Sequence, residues 1–271
     1  MKIRFAVLAI CLLLSGRVVF ADTGISDRER FDRVTNRLTV FLSGYGLHCL
    51  AGEFMGSDYA RFYATWRSLG PLDAPEYERY AELFIEEWRK YPKRWIQRSG
   101  VKAIAFVKGL CVTGQYRAAM PDNSGDAVYY DIGYRDSGED YERECVHHEF
   151  FHIADRHLAP DRFDDDPGWR LLNVPGFKYG AGGWVAYDTP DYDNKEHPGA
   201  GFLNHYSTLG LCEDRAEIYA SLFTAGYFDN LEYWCGRDPY LARKTREILS
   251  FIGRVCPEIT LSWIRRMQEE E

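Results

Sequence analysis

Basic residues are in deficit in this sequence: 33 Lys and Arg stand against 41 Asp and Glu, for a formal net charge of −8. Binding to nucleic acid needs a surplus of cations to displace counterions from phosphates, so no nucleic-acid partner is expected. No CxxC pair occurs, which removes a cysteine-ligated zinc ribbon. No glycine-rich phosphate loop and no GxSxG nucleophile elbow is present, so phosphate-loop and serine-hydrolase chemistry have no support. Long apolar runs are also missing. The most apolar stretch, residues 5–14, is about ten residues long, half of what a bilayer-spanning helix requires, and no stable membrane insertion is expected.

That short run instead reads as the core of a signal peptide. Lys2 and Arg4 precede it, and Val19-Phe20-Ala21 places small residues where a signal peptidase cuts, so cleavage is expected after Ala21. The protein would then be secreted or periplasmic. Loss of residues 1–21 removes Lys2, Arg4 and Arg17 but no acid, which moves the net charge from −8 to −11. Cys49, Cys111, Cys145, Cys212, Cys235 and Cys256 remain. An even number in an exported chain favours disulfides, and six cysteines allow fifteen pairings.

Residues 22–271 are expected to form one α+β unit, with a helical part over 22–100, a core over 101–228 and C-terminal helices over 229–271. Ser26 and Glu29 form a capping-box pattern ahead of Phe31, Val34, Leu38 and Phe41 at helical spacing. A helix is predicted over residues 58–68. Asp73 can cap another, with Pro75 in its first turn and Tyr77, Tyr80, Phe84 and Trp88 as a core-facing stripe. Pro92 opens a short helix that stops at Gly100. Residues 101–107, 110–116 and 127–134 are rich in β-branched and aromatic types and read as three strands. A helix over 137–156, a long loop over 157–205 and helices over 213–228, 239–255 and 257–271 complete the reading. The loop is expected to wall a cleft, since long loops tend to carry function.

The chemistry is concentrated in His148-Glu149-Phe150-Phe151-His152. Residues four apart share a helix face, so His148 and His152 can present two imidazoles to one ion. Glu149 lies beside that ion, where its carboxylate can take a proton from water. Zinc suits imidazole and carboxylate donors and keeps a position open. One class of such sites takes its third ligand from a Gly-containing extension with a later His. Here Asp155 replaces the Gly, Leu158 replaces the His, and His157 is one position off. The other class takes a Glu from a second helix, and Glu213-Asp214-Arg215-Ala216-Glu217 fits it. Glu213 would bind the metal, and Glu217, one turn on, would hold a ligand His in the right tautomer.

The segment Tyr206-Ser-Thr-Leu-Gly-Leu-Cys-Glu213-Asp-Arg-Ala-Glu217, together with His148-Glu-Phe-Phe-His152-Ile-Ala-Asp155, resembles the gluzincin-type zinc peptidases related to anthrax lethal factor, which include the Pro-Pro endopeptidases. The resemblance covers residues 100–228. It implies a zincin-like fold with a short mixed sheet beside the active-site helix, and zinc on His148, His152 and Glu213. It further implies Glu149 as general base, Tyr206 as donor to the oxyanion, and Glu217 and Asp155 behind the ligands. Residues 169–180 are similar to uncharacterised bacterial metallopeptidase-like proteins. The N-terminal helices and the six cysteines are not part of the lethal factor pattern.

The expected function is a secreted zinc-dependent endopeptidase that hydrolyses peptide bonds of a peptide or protein substrate through a zinc-activated water. The alternatives are a zinc-binding scaffold without turnover, against which the Glu149 and Tyr206 pair argues, and a hydrolase of non-peptide amides. The strand at 127–132 is the expected edge for an extended substrate. His147 is read as a partly buried histidine outside the site, and His205 as a candidate for the cleft lining. Asp164, Asp165 and Asp166 with Asp188, Asp191 and Asp193 form an acidic loop whose spacing does not match a calcium-binding EF-hand.

Overall fold

Ser26 caps the first helix as its spacing predicts: the Glu29 amide donates to Ser26 Oγ at 3.3 Å, and the Ser26 amide donates to Glu29 Oε2 at 2.9 Å. The computed structural model describes residues 25–134, 138–188 and 196–270. The expected cleavage site at Ala21, together with Ser137, Asp191 and Asp193, lies outside them. The chain runs α1 (Asp27–Ser43), β1 (His48–Leu50), α2 (Asp58–Tyr63), β2 (Ala64–Arg67), α3 (Ala74–Arg89), α4 (Lys93–Arg98), β3 (Ala103–Val112), β4 (Gln115–Tyr116), β5 (Ala119–Asp122) and β6 (Ala127–Asp131). It continues through α5 (Glu139–Leu158), α6 (Pro160–Phe163), α7 (Pro167–Arg170), α8 (Leu211–Phe223), α9 (Ala225–Cys235), α10 (Pro239–Val255) and α11 (Leu261–Glu269). Among the described residues no helix is long and apolar enough to cross a membrane.

The sheet is mixed, as expected, in the order β1-β3-β6-β5, with β1 and β6 parallel to β3 and β5 antiparallel to β6. Several boundaries differ from the sequence reading. The two strands expected over 101–107 and 110–116 are one long strand, β3, followed by a short hairpin. Gly109, at φ 66°, lets the chain pass from pairing with β6 to pairing with β2 without breaking the strand. Thr113 and Gly114, at φ 48° and 89°, then make a two-residue hairpin turn into β4. The helix expected over 58–68 ends at Tyr63, and the rest is β2, paired with β3. The edge beside the cleft is β5, which the sequence reading missed; the strand proposed as that edge, β6, is interior between β3 and β5.

The helix expected over 213–228 is two helices. Thr224 is extended, and Lys90 Nζ donates to the Phe223 carbonyl at 2.9 Å, giving that oxygen a partner outside the helix. Asp73 does not cap α3 with its side chain. Its carboxylate is instead gripped by Arg67, at 2.6 and 2.8 Å, and by the Gly70 amide at 3.0 Å.

The aromatic stripe of α3 is core. Tyr77, Tyr80, Phe84 and Trp88 are buried against Phe106 and Tyr130 of the sheet and Phe150 of α5. The same cluster reaches α8 and the C-terminal helices through Tyr219, Phe223, Ile252 and Ile264. Asp131 ties the far end of the sheet, accepting from the Leu110 amide at 2.8 Å and the Gly133 amide at 2.9 Å. The expectation of disulfides is not met: no disulfide joins any of the six cysteines. Cys235 lies 3.3 Å from Thr245 Oγ1, Cys49 contacts Thr39 and Tyr77, and Cys145 and Cys256 are buried in the core.

Two stability outcomes follow. Trp88→Ala should cost about 3–5 kcal/mol in denaturant unfolding, the range for deleting a buried aromatic. Hydrogen bonding from Arg67 holds the Asp73 carboxyl down at about 2, against its ordinary 3.8. A lowered folded-state value stabilises above the unfolded value and is lost as pH falls through the folded one. Asp73→Asn should therefore cost roughly 1–2 kcal/mol at neutral pH. Parent and variant should converge in stability as the pH drops from about 4 towards 2. A gap that persisted undiminished at the acid end would contradict the ion-pair assignment.

Candidate metal centre

Helix α5 carries acids in its first turn and Arg156 and His157 in its last, both favourable to the helix dipole. Its middle turns are buried against α3, the sheet and α8. His148 and His152 face α8 from one side of this helix, and Glu213 stands in the first turn of α8. Among the described residues these three form the one group of His, Cys, Asp or Glu whose donor atoms converge, all within 4.8 Å. His148 Nε2 and His152 Nε2 are 3.0 Å apart, and each is 3.2 Å from Glu213 Oε2. Edges of that length describe the face of a tetrahedron whose centre lies about 2 Å from each corner, the usual zinc–nitrogen and zinc–oxygen bond. The arrangement fits a zinc ion.

The electrostatics call for a cation at the same point. Burial alone would raise the Glu213 carboxyl, but the His152 and His148 imidazoles hold it well below the usual carboxylate range. His148 is pushed well above an ordinary histidine by its contacts with Glu213 and Glu217, despite its burial. Without a metal, a proton on His148 answers this field. With one, His148 must present a lone pair. Its Nδ1 lies 2.9 Å from Glu217 Oε1, so Nδ1–H donates there and Nε2 is left for the ion.

Glu217 does a second thing that the sequence did not indicate. Its other oxygen accepts from Asn204 Nδ2. Asn204 in turn accepts from the Ser207 amide at 2.9 Å through Oδ1, and its carbonyl accepts from Ser207 Oγ at 2.6 Å. These bonds shape the turn Tyr206–Thr208. One carboxylate thus links His148 to the turn that carries Tyr206, whose ring centroid is 5.8 Å from that of His148. Burial raises the Tyr206 phenol well above its ordinary value, helped by Glu213 and Glu149 and opposed by Arg117, so it stays a hydroxyl.

Glu149 lies on the same helix but faces a cleft of about 290 Å3, shared with His152, Tyr206, Glu213 and Trp184. Its Oε2 is buried and has no hydrogen-bond partner among the described residues. A buried carboxylate oxygen in that state can accept a hydrogen bond from a polar ligand. Gly183, which the sequence reading passed over, closes one side. A Cβ there would come 2.4 Å from the Tyr206 hydroxyl and 2.5 Å from Glu213 Oε1.

Asp155 lies close enough to act electrostatically on His152, while its own carboxylate is 3.0 Å from Arg215 Nη1. Arg215 also pairs with Asp166, which caps α7 through the Trp169 amide. The acidic loop is engaged with arginines: Asp165 with Arg170 at 2.7 Å and Asp166 with Arg162 at 2.6 Å. Asp214, also missed, is fully buried beside Lys244 at 2.7 Å, and accepts from Trp169 Nε1 and the Tyr179 hydroxyl at 2.9 and 2.5 Å. His147 is fully rather than partly buried, with Nε2 2.7 Å from Glu87 and Nδ1 against the Tyr91 hydroxyl. His205 is not among the residues lining the cleft, and the ring of His157 lies against Gly100.

No family model and no curated protein matches the sequence. A solved structure does: a proposed zinc-binding metallo-peptidase from Bacteroides caccae, with a TM-score of 0.53 and 17% identity, covering 90% of this chain and 92% of that one. At this identity the likeness is one of fold, and the fold is metallopeptidase-like.

Gly183→Ala is expected to weaken zinc binding by about tenfold or more, the range for disturbing groups around a ligand. The metal-free protein should also lose stability, by about 1–3 kcal/mol, because Tyr206 and Glu213 must shift to admit the methyl group. Zinc competition with a chromophoric chelator measures the first and calorimetry the second.

Proposed function

We propose that the protein is an exported, zinc-dependent endopeptidase of the gluzincin type. The observation that carries this reading is that the buried Oε2 of Glu149, without a partner, shares a cleft with Tyr206 and two groups of the His148–His152–Glu213 triangle. A purely structural metal site has no use for such a base or for an open cavity beside it.

His148, His152 and Glu213 would hold the metal. Zinc, when bound, supplies a Lewis acid that polarises a carbonyl and makes water acidic near neutral pH. Glu149 takes the proton from the attacking water and returns it to the departing amine, which makes it both general base and general acid. The Tyr206 hydroxyl, kept protonated, donates to the oxygen of the carbonyl as negative charge builds there. Glu217 keeps His148 in one tautomer and one direction, and through Asn204 keeps the Tyr206 turn in register with it. Strand β5 presents an edge along the cleft: Ala119, Met120 and Pro121 all line it. An extended peptide can lie against that edge, with the residues around Trp184 as the facing wall.

Two variants separate metal binding from catalysis. Glu149→Gln should retain one zinc per chain by elemental analysis and lose about 10²–10⁴-fold in kcat against a peptide library read by mass spectrometry. Glu213→Ala should lose zinc affinity by about a hundredfold or more, and its cleavage should fall with it. Undiminished cleavage by Glu149→Gln would sink the mechanism, and undiminished zinc affinity in Glu213→Ala would sink the ligand set.

A further inference from the structure

Among the described residues that line the cleft beside Glu149 there is one guanidinium, that of Arg117, alongside Tyr59, Tyr63, Trp184, the polar Thr113 and Asn123, and residues of β5. We propose that Arg117 is a specificity-determining residue that binds a carboxylate of the substrate close to the bond that is cut. The inference rests on the peptidase reading for its setting, but it concerns which peptides the cleft accepts.

Three observations support it. The first is position. Arg117 stands between β4 and β5, two residues before the cleft-edge strand, and its backbone N–H donates a hydrogen bond to the Leu110 carbonyl at 2.9 Å. Arg117 acts electrostatically on the Tyr206 hydroxyl and lines the same cleft as Glu149, which places it near the reacting carbonyl of a bound peptide. The second is orientation. Nη2 donates to Gln115 Oε1 at 2.8 Å, and Gln115 Nε2 donates to the Trp184 carbonyl at 3.2 Å. This relay ties the guanidinium to both walls of the cleft and limits its rotamers, which lowers the entropy lost on binding. The third is charge. The formal charges among the lining residues are those of Arg117, Glu149 and Glu213. Glu149 and Glu213 belong to the reacting centre, so among the described lining residues Arg117 is the cation that can meet a substrate carboxylate. The protein as a whole is acidic, at −8, which opposes an acidic substrate at long range. That field is screened beyond about 8 Å at physiological salt, so the local guanidinium decides recognition at contact.

The aromatic groups indicate what surrounds the carboxylate. Tyr59 and Tyr63 pack with tilted rings at 4.8 Å between centroids, and Trp184 is 60% exposed on the opposite wall. They offer broad apolar faces to the rest of a bound peptide. The carboxylate can come from an Asp or Glu side chain or from a peptide C-terminus.

The test uses the full zinc-loaded chain and peptides matched in sequence, with Glu or Asp replaced by Gln or Asn at each position flanking the cut, each with a free and an amidated C-terminus. The parent should prefer an acid to its amide at one position by about tenfold to a hundredfold in kcat/KM, the usual worth of a charged hydrogen bond. Arg117→Gln should bring that ratio to about one, and Arg117→Glu should invert it towards Lys-bearing peptides. Dependence on the free terminus rather than on a side chain would identify a terminal carboxylate as the group recognised. The same peptides, fluorescently labelled, are bound to zinc-loaded Glu149→Gln protein and read by anisotropy, with and without Arg117→Gln. Acid-selective binding that vanishes with Arg117→Gln, but without cleavage by the parent, would support the carboxylate site and overturn the peptidase reading. Cleavage and binding without acid preference, or an equal loss on acid and amide peptides in Arg117→Gln, would overturn the role given to Arg117.

Discussion

The packing of α5 against the first turns of α8 is the constraint on which the rest of the site depends. Four polar positions of α8, Glu213, Asp214, Arg215 and Glu217, each hold a set of partners from other segments. Glu213 meets His148 and His152, and Asp214 meets Lys244, Tyr179 and Trp169. Arg215 meets Asp155 and Asp166, and Glu217 meets His148 and Asn204. A helix spreads neighbouring residues about 100° apart, so one short segment can address the metal triangle, the end of α5, the loop ahead of it and α10 together. None of these side chains can shift alone. Asp214 and Lys244 are both fully buried, and either without the other would be an uncompensated charge in the interior, which costs several kcal/mol.

The aromatic core gives this polar layer a rigid floor. Phe150 and Phe151 lie between His148 and His152 along α5 and pack on Trp88, Tyr91 and Tyr219, which fixes the rotation of the helix and with it the direction of the imidazoles. Below it, Glu87 is buried with His147, Lys90 and Arg143, and His147 and Lys90 hold its carboxyl down at about 2 despite its burial. A histidine next to the first ligand thus works as a structural tether to α3. That use is invisible in sequence, where adjacent histidines look interchangeable.

Local rules were sufficient where the signal was local. The capping box at Ser26, the Pro75 and Pro239 helix starts and the stripe from Tyr77 to Trp88 are periodic or capping features, and the structure places them where periodicity does. They failed where a tertiary contact overrides propensity. Gly109 falls between the two strands expected over 101–107 and 110–116, yet pairing with β6 on one side and β2 on the other carries one strand through it. Residues 64–67 lost their helix to pairing with β3. The helix over 213–228 was divided by Lys90, which is more than a hundred residues from Phe223 in sequence. The six cysteines suggested a covalent framework, but a count says nothing about distance.

By itself the sequence determined the donor chemistry: two imidazoles one turn apart, a carboxylate between them, and a second acidic helix with a tyrosine seven positions upstream. Helical spacing fixes the two imidazoles and the carboxylate without knowledge of the fold, the tyrosine is implied by the family resemblance, and the fold brings His148, His152 and Glu213 to one point. The tertiary structure alone decided which groups support that point and what approaches it. Asn204 joins Glu217 to the Tyr206 turn, Gly183 fits only because it lacks a side chain, Asp214 closes on Lys244, and β5 rather than β6 forms the edge with Arg117 at its start. Each of these depends on contacts between segments far apart in the chain, and no local period or propensity carries that information.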